Sequence, residues 1–240
     1  MAPILDFTCA DRSIGLLVRP TRTGPESELT AEFIEKTIPT LRDRKRHYAL
    51  FCEPQMETGF PDIVIVSYNP HVFDEWENGR NGLTTLDLKI LHHLHFVGGA
   101  DAERIEKQLG VDSRNLVRSL ERLLGASLIR WYAKRWMPRS LKTRYAVRSI
   151  AAIEAKMKNW ASAFQQAELN RWFASETYVL SPVLHPQRQV LKKSESLGIG
   201  IYSMPTDSHV KKLKTSKRGQ LPSSYASWLF NEWIGRRLHS

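Results

Sequence analysis

Two stretches of the chain carry residues that could do phosphodiester chemistry together. In "AAIEAKM", residues 151–157, Glu154 and Lys156 stand two apart behind an apolar lead-in. In "FPDIVIV", residues 60–66, Asp62 follows Pro61 and precedes a short apolar run. Cleaving a phosphodiester with a divalent ion requires carboxylates to hold the ion and a cation near the scissile phosphate or the attacking water. Strand side chains alternate faces. A strand through 148–157 therefore turns Glu154 and Lys156 one way and Ile153, Ala155 and Met157 towards the opposite core. Asp62 can supply the second carboxylate if its strand is the neighbour of that one. Taken alone, "EAK" is ordinary surface sequence and "PD" an ordinary turn, so the elements around them decide the matter.

The patterning predicts those elements. Leu29, Phe33, Ile34, Ile38 and Leu41 recur at helical spacing in 27–45, giving an amphipathic first helix. "RHYALFCEPQ" and "FPDIVIVSYN" read as two strands of a hairpin around "METG", and 69–82, rich in Asn, Gly and charge, as a linker. Two short helices follow, one with Leu86, Ile90, Leu91 and Leu94 on one face, the next with Ala102, Ile105 and Leu109. Asp112 is the expected N-cap of a third, whose Arg114, Arg118 and Arg122 fall at i, i+4 and i+8. Residues 126–147 read as two strands around a turn at Pro138. Helix, helix, turn, helix, hairpin is the order of a winged helix-turn-helix. Beyond it come the "EAK" strand, a helix with Trp160, Ala163, Phe164 and Ala167 as its apolar stripe, the strands "ETYVLSP" and "GIGIYSM", a basic stretch "HVKKLKTSKRGQ" and a closing aromatic helix.

Pro61-Asp62 followed by Glu154-Ala155-Lys156 resembles the PD-(D/E)xK phosphodiesterase superfamily. The resemblance extends into "KMKNWASAFQQAELNRWFASETYVLSP", where Gln166 matches a glutamine that several branches carry on the helix after the xK strand. It spans residues 27–68 and 145–204, about half of the chain, with roughly 90 residues between Asp62 and Glu154 where the family spacing is usually shorter. A winged-helix insertion between adjacent strands would account for the gap. The resemblance implies an α/β restriction-endonuclease-like mixed sheet flanked by helices. Residues 1–80 and 149–240 would form the nuclease-like core, the latter with the basic C-terminal segment, and 81–148 the inserted DNA-binding domain. It further implies that Asp62 and Glu154 ligate Mg²⁺ (Mn²⁺ substituting), that Lys156 assists the attacking water and that Gln166 supports the site. An acid before "PD" is common in the family; Glu53 is the first choice here, with Glu57, Glu32 and Glu35 behind it.

The charge distribution bears on the partner. The chain has 35 Lys and Arg against 25 Asp and Glu, a net charge of +10, and residues 83–150 alone hold thirteen basic and six acidic residues. Most of the excess thus lies in the segment expected to bind double-stranded DNA. Recognition helices set N-terminal residues against base edges and wings track phosphates, which points to Arg114, Asn115, Arg118 and Arg122 on the helix and Lys134, Arg135, Arg139, Lys142 and Arg144 on the wing. His92, His93 and His95, without Cys or carboxylate neighbours, read as half-exposed helix residues rather than metal ligands.

Two cysteines are too few for a zinc cluster and suit a reducing compartment. No apolar run of about 18 residues and no leader pattern is present, so a cytoplasmic, non-membrane protein is expected. The functional expectation is a metal-dependent endodeoxyribonuclease of the restriction or foreign-DNA defence kind. It would act as a homodimer if both strands are cut, since one site cuts one strand. The alternatives are a DNA-binding regulator, or an assembly subunit, with an inactive nuclease-like core.

Overall fold

The computed structural model describes residues 4–20, 23–42, 46–206 and 208–240, so residues 43–45 of the expected first helix lie outside it. In chain order the elements are β1 (Ile4–Phe7), α1 (Pro25–Arg42), β2 (His47–Cys52), β3 (Ile63–Tyr68), α2 (Thr85–Val97), α3 (Ala102–Leu109), α4 (Ser113–Gly125), β4 (Ile129–Tyr132), β5 (Arg135–Pro138), α5 (Leu141–Arg144), β6 (Val147–Ala155), α6 (Trp160–Asn170), β7 (Glu176–Ser181), α7 (Arg188–Leu197), β8 (Gly200–Ser203), β9 (Lys211–Lys214) and α8 (Tyr225–Leu238). They form two compact units, one from 1–68 with 147–223, the other from 69–146 with 224–240. The expected boundaries at 80/81 and 148/149 shift accordingly. The closing helix α8, expected in the core, belongs to the second unit.

The first unit is α/β, built on a mixed seven-stranded sheet of order β1-β2-β3-β6-β7-β8-β9. β2, β3 and β6 run antiparallel in succession, β6, β7 and β8 are parallel, and β1 joins β2 in parallel at the far edge. β1 was not expected; four residues without clear alternation give no strand signal. β3 and β6 pair directly although the whole of 69–146 intervenes between them. Alternation sorts the strand residues. Leu50, Ile63, Ile153, Ala155, Tyr178 and Leu180 pack with Leu29 and Phe33 of α1. On the other face Val179 and Ile201 pack with Ala163, Phe164 and Ala167 of α6. The basic run at 211–214 is edge strand β9, where lysines discourage pairing with a further strand.

In the second unit, α2, α3 and α4 are capped as their sequences dictate. Thr84 and Asp87 form a reciprocal capping box, and Asp101 and Asp112 accept from the backbone N–H three residues on. Gly98 and Gly110 close α2 and α3 in the left-handed conformation. The hairpin β4–β5 does not turn at Pro138. Its two-residue turn is Ala133-Lys134, with φ of 50° and 61°, and Pro138 sits opposite Ile129 at the end of β5. Such turns need positive φ at both central residues, normally announced by Asn-Gly, so a turn without glycine escaped a sequence reading. Residues 141–144, expected in a strand, form the helical turn α5.

Nor is 69–82 a linker. Arg80 is fully buried, its guanidinium on the Glu232 carboxylate of α8 and 4.2 Å from the Trp76 ring centroid. Asn231 of α8 accepts from the Ala146 amide at 2.7 Å, and Trp76 lies against Gly235. These contacts hold α8 in this unit.

Candidate functional site

The ladder between β3 and β6 pairs Ile63 with Ile153, so Asp62, one residue before β3, comes level with Glu154 near the end of β6. The Ala155 amide donates to Asp62 Oδ2 at 2.7 Å, which ties that carboxylate to the neighbouring strand. Glu154 projects to the face opposite Ile153, where Asn170 Nδ2 of α6 donates to its Oε1 at 2.6 Å. Lys156 lies just past β6, its amide bonded to the Leu180 carbonyl and its Nζ 2.9 Å from Glu26 Oε2 in the first turn of α1. Asp62, Glu154, Lys156 and Gln166 all line one cleft of about 390 Å³, together with Glu26, Arg19 and Thr8. Four predicted residues, 104 positions apart at the extremes, thus meet.

Glu53 departs from expectation. It lines the same cleft, but it follows the end of β2 with φ of 44°, and its carboxylate faces Arg19 at 3.7 Å. Among the described residues no three His, Cys, Asp or Glu side chains converge as a metal-holding set, so Glu53 does not complete one with Asp62 and Glu154. Glu26 and Asn170 were missed. Glu26 carries no signal beyond an acid in a helix's first turn, and Asn170, sixteen residues after Glu154, gains its meaning only when α6 packs on the sheet.

Burial dominates the electrostatics. Glu154 is 4% exposed, and its carboxyl is pushed up to about 8, first by desolvation and then by the charge of Asp62 and a hydrogen bond between the two; Asn170 and Lys156 oppose the rise. Asp62 is also raised by burial, against the pull of the Ala155 amide and Lys156. A buried and a half-buried carboxyl group this close share a proton unless a cation offsets the second charge. Their hard oxygens suit Mg²⁺ or Mn²⁺, which commonly takes one or two carboxylates and completes its shell with water and substrate phosphate. Gln166 Oε1 is buried without a hydrogen-bond partner, a further oxygen left open beside the pair.

A pH dependence follows. Between the ordinary glutamate value near 4.5 and about 8, the folded protein holds a proton on Glu154 that the unfolded chain has released. Stability therefore falls as pH rises through that window, and the full cost of the buried charge is present above it. In chelator, Glu154→Gln should flatten this slope and melt above the parent at pH 9, with little difference at pH 4. Equal slopes by calorimetry would show that Glu154 is not a buried proton holder.

In the second unit the basic residues divide. Arg114, Asn115 and Arg118 are exposed near the start of α4, with the Asn115 side chain donating to Asp112 of the cap at 2.6 Å. Lys134, Arg135, Arg139 and Lys142 are exposed on the hairpin tip, its end and α5. Arg122 departs from the row's expected role, because both arms of its guanidinium donate to the fully buried Asp87 carboxylate at 2.8 Å. Asp87 lies below its ordinary carboxylate range despite burial, held there by Arg122, Ser119 and Thr84. Arg144 is half-buried, and its Nη1 donates to the Glu75 carbonyl. Arg122→Ala should accordingly cost about 2–4 kcal/mol of stability by stranding a buried charge. Arg118→Ala should cost under about 0.5 kcal/mol. Chemical denaturation of both variants checks the contrast.

His92, His93 and His95 are half-buried along α2, and burial holds all three below the ordinary histidine range. Among the described residues no helix is long and apolar enough to cross a membrane. Comparison of the chain with protein-family models, characterised proteins and solved structures finds no match.

Proposed function

We propose that the chain is a metal-dependent endodeoxyribonuclease of the PD-(D/E)xK kind, with Asp62, Glu154, Lys156 and Gln166 as its active site and the second unit as a winged helix-turn-helix that binds DNA. The observation that carries this reading is the register of β3 against β6, which sets the buried Glu154 and half-buried Asp62 carboxyl groups, from distant sequence, in one open cleft beside a lysine. Like-charged acids drawn together out of water destabilise a fold, and a site that takes a divalent cation gives that cost a use.

Asp62 and Glu154 would hold Mg²⁺ or Mn²⁺, which would supply Lewis-acid stabilisation of the phosphoryl oxygens and an activated water. Asn170 fixes the Glu154 carboxylate, and the Ala155 amide fixes that of Asp62. Lys156, its side chain 16% exposed, rests its Nζ on Glu26, which is 47% exposed, so solvent reaches the pair from the Glu26 side and it contributes about 1 kcal/mol. It is therefore released at little cost to a phosphate oxygen that develops charge in the transition state. Restriction or another defence against foreign DNA suits a nuclease that carries its own DNA-binding unit, with two copies acting together where both strands are cut.

The same Lys156–Glu26 pair favours a second reading, a DNA-binding regulator whose nuclease-like core is closed to substrate. Incubating supercoiled plasmid with purified protein and Mg²⁺ or Mn²⁺ separates the two. The nuclease converts plasmid to nicked or linear form and stops in chelator; the regulator shifts plasmid mobility and leaves it supercoiled under every condition.

A further inference from the structure

The hairpin β4–β5 presents features that phosphate tracking does not use. Trp131 and Tyr132 are 53% and 62% exposed, although burying large aromatic rings is among the most favourable contributions to folding. The rings are held in place. Trp131 packs edge-on to Trp136 across the hairpin with centroids 4.9 Å apart, and the Arg130 guanidinium lies 5.4 Å from the centre of Tyr132. The two-residue turn keeps the hairpin short, and Trp136 pairs through its backbone in both directions with Ala100. At the base, Arg130, Arg139, Ser140, Thr143 and Arg144 line a cavity of about 270 Å³. From Arg122 to Ala146 the chain has no Asp or Glu, so the cavity brings three guanidinium groups and two hydroxyls together with no acid from its own segment.

Guanidinium and hydroxyl donors in a concave site match a phosphodiester, and rigid exposed rings on the same hairpin match the faces of bases. Inside a duplex those faces are covered by neighbouring base pairs, so only unpaired nucleotides can use the rings. Resting on the reading that the second unit binds DNA, we infer that its preferred substrate is DNA with unpaired bases next to duplex, one base stacking on Tyr132 on the face that carries Arg130, another on Trp131 on the opposite face of the hairpin, and a phosphate seated among Arg130, Arg139 and Arg144. The charge favours nucleic acid over a protein surface, because a cavity of this composition takes a polyanion that offers phosphate and a flat ring in alternation.

The full chain in chelator, where cleavage is silent, is titrated by anisotropy with a forked duplex and a blunt duplex of equal length, and its tryptophan fluorescence is followed. The fork should bind about tenfold tighter or more than the blunt duplex, and quench tryptophan emission. Trp131→Ala/Tyr132→Ala should bring that ratio near one while blunt-duplex affinity stays; Trp131→Phe/Tyr132→Phe, which keeps the rings, should retain it. Arg139→Ala should weaken both substrates and flatten the salt dependence. Equal affinity of the parent for fork and blunt duplex overturns the inference, as does an unchanged ratio in a folded double-alanine protein. Binding to phosphatidylserine vesicles with none to either DNA also overturns it, assigning the rings to a lipid surface. A preserved fork preference in a chain that never cuts would remove the nuclease reading alone.

Discussion

On the proposed nuclease reading, Asp62→Asn should lower metal-dependent cleavage by at least about a thousandfold and leave DNA affinity within about twofold. A divalent ion contributes several kcal/mol to the transition state, and about 4 kcal/mol corresponds to that factor. The substitution keeps the shape and an oxygen towards the Ala155 amide, so the fold should hold. The same change removes one of two competing carboxyl groups, so the protein should melt no lower than the parent in chelator. Nicking rates over a Mn²⁺ titration, set against anisotropy with the same DNA, measure both halves. Cleavage at the parental rate would remove Asp62 from the site; loss of binding in proportion to loss of cleavage would make it a structural residue.

The largest effect on stability should come from the second unit. Arg80 and Glu232 are each about 1% exposed, joined by Nε to Oε2 at 3.1 Å and by Nη2 to Oε1, and Arg80 also reaches the Arg144 carbonyl at 3.1 Å. Removing one member of such a pair leaves a buried charge without its partner. Glu232→Ala should therefore cost about 3–5 kcal/mol, enough to unfold the unit at moderate temperature. Replacing both by apolar residues, Arg80→Met with Glu232→Leu, should recover most of that loss, because no charge is then left in the interior. Thermal melts followed by the near-ultraviolet signal of the tryptophans compare the three proteins. A single variant as stable as the parent would show that water reaches the pair in solution.

Much of this protein is determined by short-range rules that a sequence displays. Helical spacing in 85–125 and the Asp and Thr caps determine α2, α3 and α4, since each cap lies within three residues of the amide it serves. Alternation along 147–155 determines that Glu154 and Ile153 face opposite ways, whatever lies on either side. The order of α1, β2, β3, β6, α6, β7 and β8 in the first unit, and the division of acid from base along the chain, follow from the same patterns, whereas the edge strands β1 and β9 do not.

Tertiary structure decided which of those residues have work left to do. Arg114, Arg118 and Arg122 are equivalent in a helical repeat, yet only Arg122 meets a buried aspartate, because the first turn of α2 brings Asp87 to that end of α4. Arg80 in an Asn- and Gly-rich segment looks solvated until α8, some 150 residues later, brings Glu232 against it. Asp62 and Glu154 are brought level through strand register alone. A ladder is specified by the whole set of residues it buries rather than by either acid, and a slip of one position would turn Glu154 into the α1 core. Glu53, close to Asp62 in sequence, was drawn to Arg19 instead, while Asn170 reached Glu154 by the packing of a helix. Burial then set the charges. A carboxyl held near 8 is a property of its surroundings, and these are assembled only when the sheet, α1 and α6 close around it.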